Sequence, residues 1–345
     1  MWVETSSIHN IFKQISQLHI IVIGDSMIDT YLQGKVERMS AETGVPVVSV
    51  VNRENRLGGA GNVALNIRKL GGQPFLLTVT GDDEKGGIFR SLLKENGISD
   101  EGVFTDKSRP TTVKFRVADR HNQMIRIDEE VTFEINSGLE KQILLKFEDL
   151  LNHRKPDVII FSDYDKGLIT PDLFRKVNDL AQKSGIKVVA DPKKRNFGIY
   201  ENIHLLKPNF GEFTEGVGED FGKHDFDKIE LYTRRLITER KIGSVLLTLS
   251  ESGIFIHDGI SGQHFPATET QICDVTGAGD TVISMVSLAI AAGAEIGLAA
   301  ELANFAGGLV CRENGVVAVN PDQLLSEFLN TKSKAKEVNY QFDRN

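Results

Sequence analysis

Asp274-Val275-Thr276-Gly277-Ala278-Gly279-Asp280 runs through Thr281 into the apolar stretch Val282-Ile283-Ser284-Met285-Val286-Ser287-Leu288-Ala289-Ile290. The pattern reads as a glycine turn opening a buried helix. The first amides of a helix have no intrahelical partner and lie at the positive end of its dipole, so a turn without side chains lets phosphate oxygens approach them closely. Gly277, Ala278 and Gly279 then form an anion cradle. Asp280, in the first helical turn, is placed to accept a proton from a substrate hydroxyl. An acid beside a phosphate cradle suggests phosphoryl transfer, although G-x-G-D before a helix is by itself an ordinary turn.

Outward from this stretch, strand-length apolar runs recur at Ile20–Ile23, Phe75–Val79, Val158–Phe161, Lys187–Ala190 and Val245–Leu249, with helical patterns at 61–70, 84–96, 137–152 and 171–184. Continuous rather than alternating apolar strands indicate burial on both faces. The expected fold is therefore α/β, a doubly wound, mostly parallel sheet with helices on both faces, over 19–330. Residues 31–57 and 109–130 break the rhythm with alternating patterns such as Val45-Pro46-Val47-Val48 and Thr112-Val113-Lys114-Phe115-Arg116-Val117, predicting a small inserted β-sheet. Within 1–18, Ile8, Ile11, Phe12, Ile15 and Leu18 have helical spacing, and 331–345 reads as a polar, frayed tail.

The 345 residues carry 40% hydrophobic residues and a net charge of -8, which suits a globular enzyme and argues against a nucleic-acid partner. Two cysteines, Cys273 and Cys311, are too few for a disulfide framework. No membrane span or leader is expected, and the cytoplasm is the default location. The P-loop pattern is absent, and Gly81-Asp82-Asp83-Glu84-Lys85-Gly86-Gly87 cannot replace it because its acids repel phosphate.

The 274–280 stretch closely resembles the second signature of the ribokinase-like (PfkB) sugar kinases, D-[TV]-T-G-A-G-D. That resemblance implies ATP and Mg²⁺, leaves a monovalent cation open, and makes Asp280 the catalytic base with Gly277, Ala278 and Gly279 stabilising the transferring group. Gly58-Gly59-Ala60-Gly61-Asn62 falls near the family's first signature, which makes Gly58, Gly59 and Asn62 sugar-binding candidates. Asp29, after the first strand, is the expected partner of sugar hydroxyls, while Asp25 reads equally as a cap. Asn209-x-x-Glu212 resembles the N-x-x-E motif that organises Mg²⁺ and the nucleotide phosphates, here through water. Its bare pattern is also a capping box. Thr248, Ser250 and Gly253 resemble a turn that touches the triphosphate, and Asn304 is expected near adenine by chain order.

Residues 38–48, 111–116, 123–128, 162–167 and 191–193 resemble the branch of this family that phosphorylates D-glycero-D-manno-heptose 7-phosphate in lipopolysaccharide-core synthesis. The resemblance runs from about residue 19 to 325. It implies a stand-alone kinase and a lid sheet that also pairs two copies of the chain. A phosphorylated sugar needs cations, and the insert supplies Lys114, Arg116, Arg120 and Arg126, with alternation placing Lys114 and Arg116 on one face. Asp163 and Lys166 are further substrate candidates, and Lys193 a nucleotide candidate. Either lysine could face the sugar phosphate or ATP. The nearest alternative is another sugar kinase of the same family, of the ribokinase, fructokinase or phosphofructokinase type; a dehydrogenase is disfavoured because no G-x-G-x-x-G follows the first strand, and a silent sugar-binding protein because Asp280 and its turn are intact.

Overall fold

The computed structural model describes residues 5–119, 122–267 and 272–342. Helix α1 (Thr5–Ile15) precedes strands β1 (His19–Gly24), β2 (Ser26–Met39) and β3 (Pro46–Gly59). Then come α2 (Ala60–Lys69), β4 (Gln73–Gly81), α3 (Glu84–Glu95), β5 (Val103–Asp106), β6 (Val113–Asp119), β7 (Asn122–Glu129) and α4 (Ser137–Arg154). The chain continues through β8 (Val158–Ser162), α5 (Pro171–Lys183), β9 (Lys187–Asp191), β10 (Leu205–Leu206), α6 (Phe210–Val217), α7 (Phe226–Arg240) and β11 (Ser244–Thr248). It closes with β12 (Ile254–His257), β13 (Gly262–Phe265), α8 (Ala278–Ala291), α9 (Ile296–Val310) and α10 (Pro321–Phe342).

Among the described residues the main sheet has nine strands in the order β13-β12-β11-β10-β9-β8-β1-β4-β5, with only β12 and β13 running antiparallel to their neighbours. Strand β1 explains the layering. Ile20 and Val22 join the core beneath α1, α2, α8 and α9, while Ile21 and Ile23 join the opposite core beneath α4, α5 and α7. Each fully buried side chain of this kind contributes roughly 1.5–3 kcal/mol, so both helical layers are held by the same strand.

A second sheet, β3-β2-β6-β7, grows directly from the end of β1. Its pairing starts earlier and ends later than the expected 31–57, because Ser26 opposes Gly59 at the foot of the β2–β3 ladder. The C-terminal reading needs a larger correction: 331–342 extend α10 rather than fraying. Leu324 and Phe328 seat this helix in the core, and Lys332 Nζ pairs with Glu301 at 2.6 Å, anchoring the turn where a free tail was expected. Residues 1–4 and 343–345 and Arg120 lie outside the described residues.

From β1 the chain goes to β4 on one side and to β8 on the other, so the strand order reverses there. Ligands of open parallel sheets bind in the crevice beyond the carboxyl ends of strands at such a point. The second sheet stands over that end.

Candidate active site

Helix α8 begins at a Gly277 whose φ of 82° is left-handed, and a Cβ there would lie 2.9 Å from Asn62 Nδ2. Glycine is therefore required both by backbone angle and by space. The turn delivers Asp280 to the first helical turn, where it is only 7% exposed. Its Oδ2 accepts from Asn62 Nδ2 at 2.7 Å and its Oδ1 from the Tyr164 hydroxyl. Burial pushes the Asp280 carboxyl up to about 6, against the pull of these two donors and of Lys207, while Asp191 pushes the same way as burial. A base with that affinity is ionised at neutral pH yet takes a proton readily.

Asp280 and the 277–279 turn open onto a cavity of about 550 Å³. From the second sheet and its root come Asp29, Gly59, Lys114 and Arg116; from the far strand ends and helices come Lys193, Asn209, Glu212, Thr248, Ser250, Gly253 and Asn304. The structure thus brings together residues up to 275 positions apart in the chain, Asp29 and Asn304, and Lys114 and Arg116 do share a face. Asp29 Oδ1 accepts from Arg116 Nε at 3.0 Å and Nη2 at 2.8 Å. Lys114 Nζ donates to Asp128 at 3.0 Å and Glu130 at 3.2 Å.

At the nucleotide-side candidates, Asn209 caps α6: its Oδ1 accepts from Glu212 N at 2.8 Å while Glu212 Oε2 accepts from Asn209 N at 2.9 Å. Glu212 Oε1 pairs with Lys193. The capping-box reading of N-x-x-E is the one the geometry shows, and the same two residues line the cavity. Because both Glu212 oxygens already have partners, the residues fit Mg²⁺ reached through water, and among the described residues no cluster of three ligating side chains could hold a metal outright. Ser250–Gly253 forms the tight turn of the β11–β12 hairpin, so here too the turn and the cavity wall are the same residues.

Five candidates are placed differently from expectation. Asn62 is fully buried and its amide is spent on Asp280 and Asn66, so it holds the Asp280 carboxylate instead of facing the cavity. Gly58 matters by its missing side chain, since a Cβ would fall 2.3 Å from Asp29 Oδ2. Asp163 is enclosed by Asn196 Nδ2 at 3.0 Å and the Tyr200 hydroxyl at 2.9 Å, clamping its loop. Lys166 Nζ pairs with Glu130 at 2.7 Å, and half-exposed Arg126 pairs with Asp128 at 2.9 Å; neither lines the cavity. Asp25 is a clamp as well, accepting from the amides of Tyr164, Lys166 and Leu168, each at 3.0 Å.

Tyr164, Asp191 and Lys207 also line the cavity, beyond the residues that the sequence reading assigns to the site. Lys207 Nζ lies 3.0 Å from Asp191 Oδ2 and 3.7 Å from where a Gly279 Cβ would be, which puts a cation beside the anion cradle. The available signal was position, as each lies at, or within two residues of, the end of a parallel strand. The second sheet is also tied to the far side of the cavity: Arg56 Nη1 donates to Asn314 O and Val316 O at 3.0 Å each, and Val316 N donates to the Tyr31 hydroxyl at 2.9 Å.

Among known proteins, the chain is 36% identical to Bifunctional protein HldE of Citrifermentans bemidjiense over 329 residues, covering 94% of this chain and 66% of that protein. To the HldE of Pseudomonas aeruginosa strain LESB58 it is 39% identical over 314 residues, covering 90% and 64%. The chain thus spans about 64–67% of the length of the curated relatives it matches. Among solved structures it resembles the tetrameric inhibited form of phosphofructokinase-2 from Escherichia coli (TM-score 0.73, 17% identity, 92% of this chain and 99% of that one). It likewise resembles ribokinase from Thermotoga maritima (TM-score 0.68, 20% identity, 91% and 99%). These likenesses make the fold ribokinase-like. Residues 17–323 match the pfkB family of carbohydrate kinases, and the chain belongs to that family as an ATP-dependent sugar kinase.

Proposed function

We propose that the chain transfers the γ-phosphoryl group of ATP to the anomeric hydroxyl of D-glycero-D-manno-heptose 7-phosphate, giving the 1,7-bisphosphate used in lipopolysaccharide-core synthesis. The observation that carries this reading is a buried carboxylate, Asp280, held beside an uncapped glycine turn in a cavity that also receives lid cations. Asp280 takes the hydroxyl proton as the sugar oxygen bonds to the γ-phosphorus and the bond to the β-phosphate oxygen breaks, leaving ADP. The amides of 277–280 and Lys207 stabilise the charge that develops on the transferring group. Lys193, Thr248, Ser250, Gly253 and Asn304 bind the nucleotide. Mg²⁺, when bound, neutralises phosphate charge, with Asn209 and Glu212 holding it through water.

On the sugar side, Gly59 and Asp29 meet the hydroxyls. Asp29 uses Nε and Nη2 of Arg116, which leaves Nη1, with Lys114, for the 7-phosphate. The second sheet acts as a lid that excludes water competing for the phosphoryl group. Its exposed Met39, Val50, Val51, Ile125 and Ile127 support pairing of two copies through it, which sedimentation would test. The preference for heptose phosphate rests on the resemblance of the lid and strand-end segments together with these cations.

ATP consumption measured across sugars with and without a terminal phosphate, in potassium and in sodium buffers, tests the assignment. Turnover should be fastest with the heptose 7-phosphate. Equal use of unphosphorylated sugars would overturn the heptose-phosphate reading, and the salt comparison decides the monovalent-cation requirement.

A further inference from the structure

We propose that Tyr164 is a positioning residue for the general base, its hydroxyl fixing the Asp280 carboxylate as a proton acceptor facing the cavity. The inference rests on Asp280 being that base, as proposed above.

Tyr164 follows β8 on a loop that has little freedom. Buried Asp25 accepts from the Tyr164 and Lys166 amides at one oxygen and from the Leu168 amide at the other, each at 3.0 Å. Carboxylates that gather several backbone donors fix a loop firmly. From there the Tyr164 side chain lines the cavity and donates to Asp280 Oδ1, while Asn62 donates to Oδ2 at 2.7 Å. A carboxylate has about four lone-pair positions, so each oxygen carries one donor and keeps a site open for the substrate proton. Neighbouring Asp163 points the other way, towards Asn196 and Tyr200, so the loop devotes Tyr164 alone to this task.

The charged groups around Asp280 explain why a donor is needed. Burial and Asp191, at the end of β9, disfavour its charge; Tyr164 and Asn62 favour it, as does Lys207 after β10. Lys193, after β9, feels the same carboxylate and sits 5.6 Å from the Tyr164 ring centre. The phenol remains a donor throughout the working range, because burial and the charge of Asp280 push its own ionisation well above 10. Removing its hydroxyl leaves every other group in place and withdraws one charge-assisted bond from the ionised form.

The test is kcat/KM against pH for the wild type and Tyr164→Phe, with ATP and the best sugar phosphate from the panel. Ionisations of the substrates are common to both proteins, so the difference reports the enzyme. A lost hydrogen bond to a carboxylate should move the acid limb up by about one pH unit from its start near 6, so that the loss is about twofold at pH 7, grows to about tenfold at pH 5 and vanishes towards pH 9. A ring-fluorinated tyrosine at 164, a stronger donor on the same frame, should move the limb the other way, and serves if the phenylalanine variant does not fold. An acid limb that stays put, whether with a uniform loss or with none, overturns the proposal. Asp280→Asn run alongside separates the two claims: near-normal turnover there sinks the base assignment itself, whereas an inactive Asp280→Asn with an unmoved Tyr164→Phe limb sinks only the role of Tyr164.

Discussion

Asp280→Asn is expected to remove activity and raise stability together, and the size of the second effect follows from the burial of the carboxyl. Folding lifts this group from its ordinary 3.8 to about 6, mainly through desolvation. The folded state therefore binds the proton more tightly than the unfolded one; the associated stability is fully present below pH 3.8 and is lost as pH rises through about 6. At about 1.4 kcal/mol per unit, ionised Asp280 costs the fold on the order of 3 kcal/mol at pH 8. Asparagine has no such cost, but its amide must face one of the two existing donors, Asn62 or Tyr164, which returns about 1 kcal/mol. The net gain of about 2 kcal/mol, with a melting entropy of about 2 cal/mol/K per residue over 345 residues, corresponds to a Tm increase of about 3 °C. The gain should shrink to near zero by about pH 4.5, where the wild-type carboxyl has largely regained its proton. Turnover should fall by roughly 10²–10⁴. Thermal melts of both proteins at the two pH values decide the matter: an equal difference at both would refute the reasoning from burial.

Lys207→Met strands the buried Asp191 carboxylate and should cost about 3–5 kcal/mol; adding Asp191→Leu should restore the melt but not the turnover. Gly58→Ala puts a methyl 2.3 Å from Asp29 Oδ2 and 2.8 Å from Met27 Cγ, and the displacement of Asp29 should raise the sugar KM about tenfold or more, leaving the ATP KM unchanged in steady-state kinetics. Arg116→Ala should raise KM for phosphorylated sugars by about ten- to a hundredfold, and much less for unphosphorylated ones, in the same panel assay.

Much of the scaffold was readable because β1, β4, β8, β9 and β11 are apolar on both faces, a signal that only burial between two helical layers produces. The two-residue β10 is too short to separate from its surroundings on pattern alone, and α9 is buried almost all round, so its Ala- and Gly-rich sequence lacks the polar stripe that marks a surface helix. The 277–280 turn was legible because its chemistry is local. Asp163 and Lys166 were misplaced for a different reason. Position after a strand says that a residue is near the crevice but not which way its side chain turns: Tyr164 takes the inward place beside Asp163, and Lys166, beyond the left-handed Asp165, reaches Glu130 instead. Asn62 was found as a residue but not in its role, since its contact with Asp280 spans 218 positions and no local pattern encodes it.

The ties from Arg56 and Tyr31 to the 314–316 turn join the strand pair on the proposed sugar side of the cavity to the segment that leaves α9, whose Asn304, Gly307 and Gly308 line its proposed nucleotide side. Neither half can shift without pulling on the other. Through that strap the two ligands become thermodynamic correspondents: whatever factor the nucleotide lends to sugar affinity, the sugar must lend back in equal measure.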